Sequence, residues 1–212
     1  MTTSLNHLLT DDVQAVVLDL DGTLYDKRHI ARRLVLRHLC ALSLLAAEQT
    51  TRKRLKGQHF GSEEAFYENF FRQMSRAHLY TARVARWWYF RRYMPSMIQI
   101  IRRNYRLNAW VEPLILACRE RHIRVAVYSD YGCVSEKLAA LGLRAEMFDV
   151  AVSAPELGGL KPAPESAARV VDRLGVKAEQ CLFVGDRDDT DGASARAVGA
   201  DFFLIKWMGY KK

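Results

Sequence analysis

The sequence is poor in the residues that cross-link, stiffen or disorder a chain. Its four cysteines lie far apart, at Cys40, Cys118, Cys133 and Cys181, and form no CxxC pair. This argues against a zinc site and against a disulfide scaffold, and it fits a reducing compartment. Only 5 prolines and 12 glycines occur in 212 residues, which excludes a collagen-like or low-complexity chain. Because 50% of the residues are hydrophobic, the chain can bury a sizeable core.

The sequence also lacks a segment typical of membrane insertion or export. The most apolar stretch, 34–47, has 14 residues and contains Arg37, His38 and Ser43. It is too short and too polar to span a bilayer. The amino-terminal residues show no basic region followed by an apolar one, as a secretory leader would. We therefore expect a cytoplasmic protein.

Charge is distributed unevenly along the chain, whose formal net charge is +8. Between Leu24 and Glu112, eighteen Lys or Arg stand against six Asp or Glu, a balance of +12, whereas the remaining residues have a balance of −4. A basic middle segment is thus set between mildly acidic flanks, which indicates a domain boundary. Its charge has three interpretations: a solvated helical face, attraction of a polyanionic substrate, or contact with nucleic acid or an anionic membrane.

The flanks alternate short apolar strands with amphipathic helices. Strands are predicted over 13–20, 123–129, 148–153, 181–185 and 201–205, and helices over 112–122, 132–141, 164–174 and 190–198. Such alternation predicts parallel pairing through right-handed crossovers, and short continuous apolar strands fit a sheet covered on both faces. We predict an α/β fold with a three-layer, Rossmann-like core.

The middle segment lacks this alternation. Apolar residues recur at helical spacing over 30–48, 63–78 and 83–106, and a bend or restart is expected near Pro95. We therefore predict an all-helical, basic subdomain over 25–109, inserted into a core formed by 1–24 and 110–212.

Polar side chains follow the predicted strands where those strands end. They are Asp19 and Asp21 after the first, Ser129 and Asp130 after the second, Asp186, Asp188, Asp189 and Asp191 after the fourth, and Lys161 in the loop before a helix. Ligands of open α/β sheets collect at the carboxyl ends of the strands, so we expect these groups to meet there. Carboxylates without histidine suit a hard cation, and Mg²⁺ fits best.

The spacing of Asp19 and Asp21 suggests phosphoryl chemistry. A carboxylate can attack phosphorus if a cation and a lysine offset the negative charge of the phosphoryl group. A second acid two residues along lies on the same side of an extended segment. It can protonate the leaving oxygen and later activate water.

Four motifs in order resemble the haloacid dehalogenase superfamily of phosphotransferases. They are DLDGT at 19–23, the strand-ending Ser129, Lys161, and GDRDDTD at 185–191. The resemblance covers about 1–23 and 113–207, and the helical insertion resembles the helical cap that follows the first motif in this family.

The resemblance implies a role for each matching residue. Asp19 is the expected nucleophile and a Mg²⁺ ligand, and Asp21 the general acid and base, with its backbone carbonyl as a further ligand. Asp186 is expected to bind Mg²⁺ directly, and Asp191 to hold a metal-bound water or to orient Lys161.

The remaining roles concern the phosphoryl group. Ser129 is expected to hydrogen-bond its oxygens, and Lys161 to neutralise charge between the phosphate and the nucleophile. Asp130 and Leu20 complete the expected phosphate contacts. Of Asp188 and Asp189, one is expected to be a more distant acid and the other a solvated one.

The implied function is a Mg²⁺-dependent phosphatase that hydrolyses a small, anionic phosphate monoester through an aspartyl phosphate. The same fold could serve a phosphomutase, or a phosphonate hydrolase with an imine-forming lysine among Lys27, Lys53 and Lys56. A dehalogenase fits less well, because those enzymes typically lack an acid at the position of Asp21.

The remaining alternative is a different functional class: a protein that binds nucleic acid or an anionic surface through the basic cap. Because the catalytic set is intact, we do not expect nucleic acid as a partner. Peripheral membrane contact through the basic, aromatic cap remains an alternative. The sequence does not fix the oligomeric state or the natural substrate.

Overall fold

The core of the protein is a parallel sheet of five strands. The computed structural model describes residues 5–76 and 80–205. The strands are β1 (Ala15–Leu18), β2 (Arg124–Ser129), β3 (Val150–Ser153), β4 (Cys181–Gly185) and β5 (Asp201–Leu204). Their order is β3-β2-β1-β4-β5, and all neighbours pair in parallel. The predicted α/β fold is confirmed.

Helices cover both faces of this sheet. They are α6 (Val111–Glu120), α7 (Val134–Ala140), α8 (Pro164–Leu174) and α9 (Ala193–Val198). Along β1, Ala15 and Val17 pack with residues of α8 and α9, whereas Val16 and Leu18 belong to the larger cluster that includes α6 and α7. Alternate side chains of one strand therefore enter two cores, which explains why the strands are apolar throughout.

Five helices lie between β1 and α6, and no strand lies among the described residues of that interval. They are α1 (Ile30–Arg37), α2 (Leu42–Leu55), α3 (Glu63–Ser75), α4 (Ala82–Trp88) and α5 (Met94–Asn104). We call residues 25–109 the cap. Its interior is aromatic, with Phe66, Phe70 and Tyr89 fully buried. The division into core and cap stays a prediction, since a run of helices does not by itself define a domain.

Two predicted cap helices differ from the structure. The helix predicted over 30–48 is interrupted at His38, whose ring is buried against Trp88, 5.4 Å away between ring centroids. The buried ring of His38 stands where α1 ends, so the spacing of apolar residues alone does not locate this break. The helix predicted over 63–78 ends at Ser75, and 77–78 lie outside the described residues. The last cap helix restarts as expected, with Pro95 in the first turn of α5 after a π-helical turn at Tyr89–Tyr93.

The loop after α2 lies against the core loop that leads to Lys161. The N–H of Phe60 donates to the carbonyl of Gly158 (2.7 Å), and the N–H of Leu160 donates to the carbonyl of Gln58 (3.2 Å). A Cβ on Gly158 would lie 2.8 Å from the backbone nitrogen of Ser62, and its φ is +87°. The glycine is required here because the two loops touch backbone to backbone.

The carboxyl ends of the strands lie on the side of the sheet next to the cap. The strand order reverses beside β1, and ligands of such sheets bind outside the carboxyl ends of the strands at that point. Among the described residues, no helix combines the length and the apolar character needed to cross a bilayer.

Candidate active site

Asp19 lies in a tight loop that directly follows β1. Its side chain is buried, and Oδ2 accepts a hydrogen bond from the hydroxyl of Thr23 at 2.9 Å. Gly22 turns this loop with a φ of +109°, and a Cβ there would lie 2.5 Å from Oδ2 of Asp186. The loop therefore needs glycine both for its backbone conformation and for the approach of the β4 loop.

Lys161 joins the loops after β1 and β4. Its ammonium lies 2.9 Å from Oδ1 of Asp19 and 2.8 Å from Oδ1 of Asp191, and the side chain is only 2% exposed. Burial opposes the charge, but the carboxylates of Asp19, Asp191 and Asp130 outweigh it and hold the pKa of Lys161 well above its usual range. Burial, reinforced by Asp191, raises the pKa of Asp19, although Lys161 partly offsets this rise. Lys161 is thus a permanent positive charge beside Asp19.

Asp21 is held in a second, buried group of side chains. The hydroxyl of Tyr25 donates to Oδ1 of Asp21 at 2.8 Å, and that of Ser129 donates to Oδ2 at 3.1 Å. The ammonium of Lys137, which is fully buried in α7, also donates to Oδ2. Burial favours the neutral acid, but the charge and hydrogen bond of Lys137 prevail and lower the pKa of Asp21.

Sequence reasoning missed Lys137, although a signal for it existed. Lys137 stands on the apolar face of α7, between the buried residues Val134 and Leu138. A lysine on such a face almost always has a buried partner. The partner, Asp21, is 116 positions away in the sequence, so the signal could have found the lysine but not its contact.

Asp186 faces Asp19 from the end of β4. Its Oδ2 contacts the ammonium of Lys27 at 2.7 Å. Burial raises the pKa of Asp186, and Lys27 partly offsets this rise. One carboxylate oxygen each from Asp19, Asp186 and Asp191 lie within 4.8 Å of one another. Three converging carboxylates with no nitrogen or sulfur ligand fit a hard divalent cation such as Mg²⁺.

The structure assigns different surroundings to the other predicted acids. Asp188 is exposed and pairs with Arg196. Asp189 pairs with Arg187 and with Lys56 of the cap. Neither side chain is among the three carboxylates that converge.

The predicted phosphate contacts are placed as follows. Ser129 donates to Asp21, and its oxygen also accepts from the ammonium of Lys137 at 3.2 Å, so it must rotate to donate to a phosphoryl oxygen. The carboxylate of Asp130 accepts the backbone N–H of Lys161 at 2.9 Å and thereby holds that loop. Leu20 is buried, and its carbonyl accepts the N–H of Leu24. The predicted roles of these residues stay predictions.

Arg52 of α2 fastens the cap to the core above this site. Its guanidinium donates to the carbonyl of Asp130 (2.9 Å) and to the hydroxyl of Tyr89 (2.8 Å), and it pairs with the buried Glu48. It also stacks on the ring of Tyr131, 3.7 Å from the centroid. Arg52 could not be predicted from the sequence, because its contacts with Asp130 and Tyr131 depend on the orientation of the cap relative to the core.

A cavity of about 260 Å³ opens between α2 and the core loops. Its lining includes five cationic side chains, namely those of Arg52, Lys53, Lys56, Lys161 and Arg187. Asp130 is the one carboxylate among the lining residues. The cavity thus adjoins Lys161 and is lined mainly by cationic side chains. Four of these, Arg52, Lys56, Lys161 and Arg187, are also paired with carboxylates.

Comparison with known proteins identifies the family. The family model described as haloacid dehalogenase-like hydrolase matches residues 13–199. The chain belongs to the haloacid dehalogenase-like hydrolases. The matched range includes every residue of the site described above.

Curated relatives match part of the chain. The chain is 35% identical over 97 residues to the phosphoglycolate phosphatase of Rhodospirillum rubrum, covering 46% of this chain and 39% of the relative. It is 34% identical over 91 residues to the glyceraldehyde 3-phosphate phosphatase of Methanopyrus kandleri, covering 42% of this chain and 39% of the relative. The chain thus spans about two fifths of the length of each of these relatives.

Several solved structures share the fold over nearly the whole chain. A CbbY variant from Rhodobacter sphaeroides, in complex with xylulose-(1,5)-bisphosphate, has a TM-score of 0.62 at 18% identity, covering 94% of this chain and 92% of that one. The 2-haloacid dehalogenase of Pseudomonas syringae has a TM-score of 0.61 at 18% identity, covering 94% and 91%. At these identities the likeness concerns the fold alone.

Proposed function

We propose that the protein is a Mg²⁺-dependent phosphatase that hydrolyses a small phosphate monoester through a phosphorylated Asp19. The observation that carries the proposal is the position of Asp19, with one carboxylate oxygen on Lys161 and the other on Thr23, two residues before a buried second acid. Two curated relatives are named phosphatases, which agrees with this proposal.

The residues around Asp19 suit an attack on phosphorus. Thr23 and Lys161 fix the orientation of the carboxylate, so little reorganisation precedes the attack. The ammonium of Lys161 offsets charge that gathers on the phosphoryl oxygens. Asp19, Asp186 and the backbone carbonyl of Asp21 would hold Mg²⁺, which supplies further positive charge against the phosphoryl group.

Asp21 is placed to move the proton. Its contacts with Tyr25, Ser129 and Lys137 hold the carboxylate in one orientation. Because its pKa is lowered, Asp21 is ionised at neutral pH, the form that accepts a proton from the attacking water. In the preceding step, the same group would have to donate a proton to the leaving oxygen of the ester, a transfer that a dehalogenase does not need because its leaving halide takes no proton.

The cavity supports a substrate with more than one anionic group. Besides Lys161, which contacts Asp19, the lining of the cavity includes Lys53, Lys56 and Arg187. A carboxylate or a second phosphate on the substrate would reach these cations. We therefore propose a small, doubly anionic phosphate ester as the substrate class.

The test is Mg²⁺-dependent release of inorganic phosphate from an aryl phosphate. We expect Asp19→Asn and Asp19→Ala to lose this release by at least about 10³-fold, since they lack the nucleophile. Asp12→Asn makes the same chemical change at an exposed position before β1 and should keep the activity. Full activity in both Asp19 variants would refute the proposal. Phosphate transferred within the substrate, with none released, would indicate a mutase instead.

A further inference from the structure

The ammonium of Lys27 lies among the oxygens that a divalent cation would use. Its Nζ is 2.8 Å from the backbone carbonyl oxygen of Asp21 and 2.7 Å from Oδ2 of Asp186. Both oxygens belong to the expected Mg²⁺ ligand set. The third expected ligand, Asp19, is close enough for the positive charge of Lys27 to lower the pKa of its carboxyl group. A lysine side chain from the start of the cap thus takes part in the cation site of the core.

An ammonium and a divalent cation have the same demands at this point. Each needs oxygen lone pairs, and the ammonium can satisfy three of them with its three N–H groups. Two cations that share the same oxygens repel each other at short range. Lys27 and a bound metal ion therefore cannot both keep these contacts.

We propose that Lys27 is an intramolecular competitor of the divalent cation, so that its ammonium and Mg²⁺ occupy the site in turn. Lys27 then sets the affinity for the metal: the ion must displace the ammonium before it binds. The inference rests on the proposed function only for the identity of the metal ligands.

The surroundings of Lys27 allow this exchange. Its side chain is 37% exposed, whereas those of Lys137 and Lys161 are 0% and 2% exposed. The latter two lysines are enclosed and cannot leave their carboxylates without opening the core. Lys27 can swing into solvent by rotation about its own side-chain bonds.

The backbone around Lys27 is fixed at the junction between core and cap. Tyr25 bridges to Leu107, and the hydroxyl of Tyr105 donates to the carbonyl of Arg28 at 2.8 Å. The starting point of the Lys27 side chain is therefore set by the seating of the cap. Any movement of this junction changes the reach of the ammonium, which links the position of the cap to metal affinity.

Calorimetric titration of the metal-free protein with MgCl₂ tests the inference. We expect Lys27→Met, which keeps the length of the side chain and removes the charge, to bind Mg²⁺ at least about tenfold more tightly than the wild type. Lys177→Met removes the same charge from an exposed site before β4 and should bind like the wild type. Equal or weaker binding by Lys27→Met would overturn the inference, and so would the absence of binding by both proteins.

Acylation of lysine amines in the wild-type protein gives a second readout that needs no variant. We expect the labelling of Lys27, measured by peptide mass spectrometry, to rise when Mg²⁺ is added, because the displaced amine enters solvent. Labelling of Lys177 should not change. Unchanged or reduced labelling of Lys27 at a Mg²⁺ concentration that saturates the calorimetric signal would contradict the competition.

These experiments separate the inference from the proposed function, since neither requires turnover. If Lys27→Met binds Mg²⁺ more tightly but neither protein releases phosphate, the inference holds and the phosphatase proposal fails. If the wild type releases phosphate with Mg²⁺ but Lys27→Met shows no gain in affinity, the inference alone fails.

Discussion

The two sides of the active site differ in how their charges are held. On the β2 side, Asp21, Ser129 and Lys137 form a sealed cluster in which each polar group has a buried partner. On the β4 side, an open cluster consists of Asp186 with Lys27 and of Asp189 with Lys56 and Arg187. Similar ion pairs thus occur in two environments. The sealed side holds the proposed general acid and base in one orientation, whereas the lysines of the open side are exposed enough to give way to the proposed metal ion and substrate.

The largest contrast should come from deleting the lysine of the sealed cluster. Lys137→Met removes the cation that contacts the buried carboxylate of Asp21, which should cost about 3–5 kcal/mol of the free energy of unfolding. Urea unfolding monitored by circular dichroism measures this loss. Adding Asp21→Asn to Lys137→Met removes the unpaired charge and should restore part of the stability. A Lys137→Met protein as stable as the wild type would show that the cluster is not sealed.

A smaller effect is expected where the cap meets the core. Arg52→Lys keeps the charge but cannot reproduce the planar fork that bonds Asp130 and Tyr89. We expect a loss of about 1.5–3 kcal/mol in unfolding free energy and a higher KM, because α2 also lines the cavity. Arg54→Lys, two residues along in α2 at an exposed position, is the matched control. Equal behaviour of the two variants would mean that Arg52 does not fasten the cap.

Of the three variants compared for stability, the one at Lys27 of the open cluster should lose the least. Lys27→Met removes an ion pair whose lysine side chain is 37% exposed, and such pairs contribute about 0–1 kcal/mol. The same urea unfolding, done without metal, provides the comparison with Lys137→Met. A loss as large as that of Lys137→Met would abolish the distinction between the two sides.

An effect of similar, small size should appear in substrate binding. Lys53→Met removes one exposed cation from the cavity lining. For a doubly anionic phosphate ester, we expect KM to rise about fivefold, the factor for roughly 1 kcal/mol. KM for a singly charged aryl phosphate ester should stay nearly unchanged. A similar rise for both substrates would mean that Lys53 does not contact a second anion.

The sequence allowed the parts of the site that depend on sheet topology to be predicted. Asp19, Asp186 and Asp191 each follow a predicted strand, and the parallel order of β1 and β4 is sufficient to bring them together. Lys161 could be predicted from its motif, and the structure places it between Asp19 and Asp191. The α/β fold follows from the same alternation of strands and helices.

The contacts that depend on tertiary seating could not be predicted. Whether Lys27 reaches Asp186, and whether Arg52 reaches Asp130, depends on the orientation of the cap, for which local periodicity carries no signal. The break at His38 was not predicted either, and the ring of this residue contacts Trp88, which is distant in the sequence. The basic charge of the cap was visible, but the structure was needed to show which cations line the cavity.

The most direct test of the account is to trap the phosphorylated enzyme. The Asp21→Asn variant lacks the base for hydrolysis, and an aryl leaving group needs little protonation, so the intermediate should accumulate. The variant is mixed with an aryl phosphate and Mg²⁺, quenched in acid and digested, and its peptides are weighed by mass spectrometry. The account predicts one phosphoryl group on the peptide that contains Asp19, removable by hydroxylamine as expected for an acyl phosphate. A phosphoryl group on another residue, or phosphate release by the wild type with none ever found on Asp19, would contradict it.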